Sequence, residues 1–316
     1  MSERTVAVLA GGLSHERDVS IRSGRRLAAA LRDTGLIVEE WDADGSLVGR
    51  LITRRPDAVV VALHGGAGEN GAVQSVLEML GVPFVGTDAA ACRRAWDKPI
   101  AKARLVEEGL TTPDWVALPQ STFRDLGAQV MLDALVDRLG LPLMLKPDQG
   151  GSALGALVVR AEAELPTAMV GCLAYSDTVL AERFVDGVEV AVTVIDTAEG
   201  PQALPAVEIE PESGVYDYAA RYTAGFTTFH CPARLEPAVA KSVADLAVRA
   251  HTVLGLRDVS RTDAIVPPDG GPVQFLEVNV SPGLTETSLL PMAVEEYGST
   301  MGAVFRELIE RAIARG

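Results

Sequence analysis

Strand-like and helix-like stretches alternate over residues 5–95, and this alternation restricts the fold more than any other feature of the 316-residue chain. Apolar runs at 5–10, 58–63 and 82–85 are interleaved with helical patterns at 19–34 and 72–80. Interleaving of this kind builds a parallel, doubly wound sheet with crossover helices. In the second helical stretch Val73, Val76, Leu77 and Leu80 fall at i, i+3, i+4 and i+7, a stripe turned toward a core and without functional content.

The pattern changes near residue 95. A lysine-bearing helical stretch follows at 97–109 and then Pro113, which places a domain boundary there. Strands are expected at 141–146, 156–160 and 179–185 around glycine-rich turns. After them Val188, Val190, Val192 and Val194 alternate with other residues, as in a strand with one buried face. Helices near 237–254 and 299–314 close the chain. The expected division is three units, α/β and α+β in class, at 1–95, 96–185 and 186–316.

Composition excludes several classes. A net charge of −15 leaves no basic footprint for nonspecific nucleic-acid binding. No apolar run approaches the ~20 residues of a membrane span, and residues 1–12 lack a signal-peptide pattern, so the expected compartment is the cytoplasm. Cys92, Cys172 and Cys231 are odd in number and far apart, without CxxC or CxxH spacing; buried apolar fillers are expected, not a disulfide framework or a zinc site.

Chemistry concentrates late in the chain. Two strand-like stretches, 259–266 and 273–280, carry Asp263, Glu277 and Asn279 across a short turn. Antiparallel neighbours bring opposed side chains roughly 5 Å apart, and Glu277 and Asn279 share a face. Such a row of oxygen ligands suits Mg²⁺ or Mn²⁺ beside phosphates, and Arg261 falls on the same face as Asp263. An exposed hairpin with ordinary surface acids is the alternative. Upstream, Lys146 ends an apolar strand and runs into the glycine-rich loop 148–155, whose N–H groups can cradle phosphates, although a plain hairpin turn reads the same way. A second loop, Gly66 to Gly71, fits GxGxxG between a strand and a helix with Asp88 downstream, which admits a dinucleotide-binding oxidoreductase. Glu69 argues against that, since it puts a carboxylate where a pyrophosphate belongs.

These segments, taken in order, resemble the D-alanine–D-alanine ligases of the ATP-grasp superfamily over almost the whole chain. The matching residues include Gly11-Gly12, Glu16, His64 to Gly71, Asp97-Lys98, Lys146-Pro147, Gly151-Ser152, Glu182, Glu189, Tyr216, Tyr218, Tyr222, Arg261, Asp263, Glu277, Asn279 and Gly283. The resemblance implies an ATP-grasp fold with an N-terminal doubly wound parallel-sheet domain. It implies ATP on Lys98, Lys146, Gly151 and Ser152, with the 182–185 stretch (Glu182, Arg183, Phe184 and Val185) facing adenine and Glu189 facing ribose. Two Mg²⁺ or Mn²⁺ ions would sit on Asp263, Glu277 and Asn279. Glu16, with Ser152 and Tyr222, would bind the first D-alanine near His64; Ser288 and Leu289 would meet the second; Arg261 and the Gly283 N–H would form an oxyanion hole. A homodimer is also implied, with D-amino acids as substrates and neither nucleic acid nor membrane as partner.

Bland roles compete for some of these. Glu16 can merely favour a following helix N-terminus, Ser14 can cap that helix, and His64 can be a satisfied structural histidine. The chain also departs from the family pattern. Arg221 stands where a phosphate-contacting lysine is usual, and a fork does not simply replace a point charge. Ala153, Asn70, Val280 and Ala264 replace a serine, an aspartate, a threonine and an aromatic. Tyr222 accompanies dipeptide formation in the family, so an amine acceptor is expected. Residues 216–230 resemble a loop that closes over substrates. The rivals are an ATP-grasp ligase for other amino acids and a catalytically dead homologue, the latter opposed by the intact metal row.

Overall fold

The structure is a computed structural model that describes residues 4–223 and 225–316, without the side chain of Tyr222. The role expected of that side chain therefore lies outside the described residues.

The first layer has the alternation read from the sequence: β1 (Thr5–Ala10), α1 (Arg17–Arg32), β2 (Ile37–Asp42), α2 (Leu47–Arg54), β3 (Ala58–Val61), α3 (Ala72–Leu80) and β4 (Phe84–Val85). Its strands are parallel in the order β2-β1-β3-β4. Residues of β1 alternate between two cores. Val6 and Val8 pack with Leu27 and Leu31 of α1, while Ala7 and Leu9 pack with Leu51 of α2 and Leu77 of α3. The edge strand β2 was not expected, because Glu39 and Glu40 separate its two buried residues, Val38 and Trp41.

Two helices, α4 (Ala89–Trp96) and α5 (Lys98–Glu107), lead onward. Asp88 accepts from the Ala91 amide and Asp97 from the Ile100 amide, so each helix begins on an aspartate cap. The second layer contains β5 (Trp115–Pro119), α6 (Gln120–Leu126), α7 (Ala128–Leu139), β6 (Leu143–Pro147), β7 (Leu157–Val159), α8 (Leu165–Leu173) and β8 (Thr178–Arg183). Its sheet is antiparallel, ordered β5-β8-β6-β7. Leu143, Leu145, Val179 and Ala181 face α7 and α8 in one core. Strand alternation then turns Met144, Lys146 and Glu182 to the opposite face.

The third layer runs through β9 (Val188–Thr197), β10 (Gly200–Ala203), β11 (Val207–Pro211), α9 (Tyr218–Tyr222), β12 (Thr227–His230), α10 (Pro237–Val253), β13 (Val259–Val266), β14 (Gln274–Asn279), α11 (Leu289–Glu296) and α12 (Met301–Arg315). The antiparallel order is β12-β11-β9-β13-β14, with β10 on β9. One buried face was expected for β9, but both are covered. Val190, Val192 and Val194 pack with α10, whereas Ala191 and Ile195 join the core that contains α11 and α12.

Helix α12 crosses back onto the first layer. Val304, Phe305, Leu308, Ile309 and Ala312 share a core with Val6, Val8 and Leu31, so both ends of the chain build this layer. The fully buried Asp258 accepts from Arg315 at 2.7 Å and from the Gly86 amide at 2.8 Å, which fixes the helix end beside β4. At the α1–α12 crossing a Cβ on Gly302 would lie 2.4 Å from the Ala30 carbonyl oxygen, so only glycine allows this approach. Gly302→Ala should lower the unfolding free energy by about 1–3 kcal/mol, because the overpacking outweighs the gain in helix propensity. A shift of the urea midpoint to lower concentration is the expected reading; an unchanged or higher midpoint would count against this packing.

Candidate active site

The faces of the second and third sheets left free by their helices enclose a cleft of about 1200 Å³, counting space open to solvent. Met144, Lys146 and Glu182 come from the second sheet, and Glu189, Asp263 and Glu277 from the third. A second chamber of about 1120 Å³ adjoins it on the side of the first layer. Lys98, Gly151, Tyr216, Arg221 and Glu277 line both.

A bulge places the metal row. In the antiparallel pair of β13 and β14, Asp263 lies opposite Glu277 and Arg261 opposite Asn279. The register shifts between Asp263 and Ala264, so Ala264 pairs with Phe275 and Leu276 is passed over. In an unbroken strand Phe275 and Glu277 would share a face; the extra residue sends Phe275 into the core beside Ala264 and leaves Glu277 in the cleft. Arg261 grips Asp263 with both arms of its fork, at 2.7 and 2.8 Å. Asn279 Oδ1 accepts from the Ser281 amide at 2.9 Å.

Charges in the cleft are tightly paired. Lys146 contacts one Glu182 oxygen at 2.6 Å, and Lys98 donates to the Gly150 carbonyl at 2.8 Å while standing 3.4 Å from Glu277. Burial alone would push Glu277 up, but Lys98, Lys146, Arg221 and Arg261 hold it at about 2. Glu189 is pushed up to about 7 by burial and by the Asp263 and Glu277 charges, against the pull of Arg221. The Arg221 guanidinium lies over the Tyr216 ring, 4.3 Å from its centroid, and so ties α9 to the loop before it.

In the second chamber the Glu16 carboxylate accepts from the Ser152 hydroxyl and lies so close to Gly65 that a Cβ there would clash with it. Ser14 does not cap α1. Its hydroxyl donates to the His64 carbonyl at 2.6 Å. His64 is buried and pushed down to about 4 by desolvation, hence neutral. Its Nδ1 donates to the Ser281 carbonyl, its Nε2 accepts from Ser23, and Ser23 accepts from the Leu284 amide. This directional chain fastens the segment after β14 to the first layer. On that segment Ser288 Oγ accepts from the Thr285 amide at 3.0 Å, and a Cβ on Gly283 would lie 2.7 Å from the same oxygen.

Each residue expected in the site, apart from the Tyr222 side chain, lines one of the two chambers. Lys146, Glu182, Arg183, Phe184, Val185, Glu189 and Asp263 line the first; Glu16, His64, Ser152, Arg261, Asn279, Gly283, Ser288 and Leu289 line the second. The dinucleotide reading of Gly66 to Gly71 does not fit. Glu69 turns its carboxylate back onto the Gly65 amide, and a Cβ on Gly71 would lie 2.5 Å from the Ala89 carbonyl oxygen, so these glycines serve backbone contacts. Two residues that the sequence did not single out for the site also stand here: Glu69, which lines the second chamber, and Lys102 beneath Glu182. The i, i+4 spacing of Lys98 and Lys102 on α5 was the available signal for the latter.

Residues 105–313 match the family described as D-ala D-ala ligase C-terminus. The chain belongs to the D-alanine–D-alanine ligase family. It is 42% identical over 310 residues to the D-alanine–D-alanine ligase of Anaeromyxobacter sp. (strain Fw109-5), spanning 98% of this chain and 96% of that one. With the Bordetella petrii ligase the identity is 38%, over 98% and 92% of the two chains. The D-alanine–D-alanine ligase structure from Bacillus anthracis superimposes with a TM-score of 0.81 at 28% identity, covering 99% of this chain and 98% of that one. The same ligase complexed with ATP gives 0.82 at 27% identity, with the same coverage.

In this family member Glu69 is pushed up to about 8, first by burial and then by the Glu16 charge. An unfolded glutamate titrates near 4.3, so between about pH 4.5 and 8 folding takes up a proton at Glu69, and this contribution to stability falls as pH rises through the window. Glu69→Gln carries no such proton. In melting experiments the variant should gain on the wild type as pH climbs from about 5 to 8 and hold a constant margin above; a margin independent of pH would mean that Glu69 is ionised in the folded protein.

Proposed function

We propose that this chain joins two D-alanines into D-alanyl-D-alanine at the expense of ATP, in the cytoplasm, for peptidoglycan precursors. The observation that carries the reading is the shared wall of the two chambers. A lysine-lined cleft shaped for a nucleotide opens, at Lys98, Gly151 and Glu277, onto a chamber holding Glu16, Ser152 and Arg261. Phosphoryl donor and amino-acid carboxylate can meet only at such a junction. In support, among the described residues no helix is long and apolar enough to cross a membrane.

In this reading Lys98 and Lys146 hold the phosphates, residues 182–185 face adenine, and Glu189 receives the ribose hydroxyls. Asp263, Glu277 and Asn279 offer an all-oxygen donor set on one face of the β13–β14 pair, which fits Mg²⁺ or Mn²⁺. When bound, such ions screen the repulsion between triphosphate and carboxylate. Glu16, with Ser152 and Tyr222, holds the first D-alanine's ammonium. The first D-alanine's carboxylate takes the γ-phosphoryl group, giving an acyl phosphate and ADP; the second D-alanine's amine, placed by Ser288 and Leu289, then attacks the carbonyl and phosphate leaves. Arg261 and the Gly283 N–H stabilise the tetrahedral oxyanion. Arg221, on Tyr216, takes the place of the usual lysine, and closure of 216–230 would shield the acyl phosphate from water. Two copies of the chain form the assembly in this reading.

The test is phosphate release from ATP and Mg²⁺ with single and paired amino acids, with mass detection of products. D-alanine alone should support release and yield D-alanyl-D-alanine, and Asp263→Ala or a chelator should abolish both. Arg261→Gln should lower kcat by about 10²–10³-fold with little change in the KM for ATP. Turnover only with another pair of amino acids would move the substrate assignment and keep the chemistry; no turnover with any pair would defeat the proposal.

A further inference from the structure

Lys102 lines neither chamber. It stands one turn after Lys98 on α5, 0% exposed, with its Nζ 2.5 Å from the Glu182 oxygen that Lys146 does not take. Its Nζ also donates to the Thr112 hydroxyl, which in turn donates to the Phe275 carbonyl of β14 at 2.8 Å. One carboxylate, itself 1% exposed, thus lies between a cleft lysine and a core lysine. Such an arrangement serves no packing purpose that an apolar side chain would not serve better, since burying charge is costly unless each member is compensated.

We propose that Lys102 is a positioning residue for nucleotide binding: by compensating Glu182 from the core side, it leaves the Lys146 charge available to phosphates in the cleft. Two ammonium groups and one carboxylate sum to a single positive charge presented to the cleft. Without Lys102 the carboxylate compensates Lys146 fully, and this pair offers the ligand no net charge. Burial pushes Lys102 down to about 8, yet Glu182 keeps it charged at neutral pH. Anchorage through Thr112 to β14 also holds the triad at a fixed distance from the strand that bears Glu277. The inference rests on the nucleotide reading of the first chamber, and the experiment separates the two.

Calorimetric titrations with ADP and with adenosine probe the phosphate and base contributions apart. The wild type should bind ADP more tightly than adenosine; if it binds neither, the nucleotide reading itself falls. Lys102→Met should weaken ADP by about tenfold and leave adenosine within about twofold. Lys102→Arg keeps the buried positive charge and should hold ADP affinity within about threefold of wild type. Equal loss for both ligands in Lys102→Met would show a merely structural lysine, and unchanged ADP affinity would show an idle one; either overturns the proposal. Should Lys102→Met not fold, Lys102→Gln decides: ADP weakened about tenfold with adenosine within about twofold supports the proposal, and unchanged ADP affinity or equal loss for both ligands overturns it.

Discussion

The cleft depends on charges that are buried but not left alone. Lys146 and Lys102 share Glu182, Lys98 approaches Glu277, and Arg261 grips Asp263, so each of these four cations has an anion within reach. A carboxylate or ammonium withdrawn from water without a partner shifts its titration until it neutralises. Here the pairing does the opposite for Glu277, which nearby cations hold at about 2 although burial pushes it up. The site is thus held in charged form before any ligand arrives, which is the condition for preorganised electrostatic stabilisation.

That cluster exists because two sheets of different construction face each other across it. In the second sheet simple alternation is enough: Leu143 and Leu145 turn to the helices, so Lys146 must turn to the cleft. The third sheet needs a correction to the alternation, and the bulge opposite Asp263 and Ala264 supplies it. Because of that one extra residue, an aromatic core anchor and a cleft carboxylate two positions apart in β14 point to opposite sides.

The second chamber is assembled from greater separations. Glu16 and His64 come from the first layer, Ser152 from the second, and Gly283 and Ser288 from the third. Glu16 meets Ser152 through a carboxylate–hydroxyl bond, and neutral His64 is the relay between Ser23 and Ser281. A protonated imidazole would have two donors and could no longer accept from Ser23, which is why its burial in neutral form matters to this wall.

Much of this was legible in the chain order. The strand and helix alternation determined a parallel first sheet, because crossover helices permit no other pairing, and the spacing of Asp263, Glu277 and Asn279 determined that an oxygen-rich row exists. Apart from the Tyr222 side chain, the residues that the family resemblance assigned to the site line the chambers. Edge strand β2 stayed hidden because a strand with one exposed face carries charged residues, and Lys102 because a buried lysine looks in sequence like any surface one; Glu69 was noticed, but not as part of the chamber wall. Only the tertiary structure decided that α12 completes the first layer, that the bulge reorients Phe275 against Glu277, and that Glu182 lies between two lysines. Each of these depends on residues brought together from distant parts of the chain, and local periodicity carries no information about which distant side chain will supply the compensating charge or the covering surface.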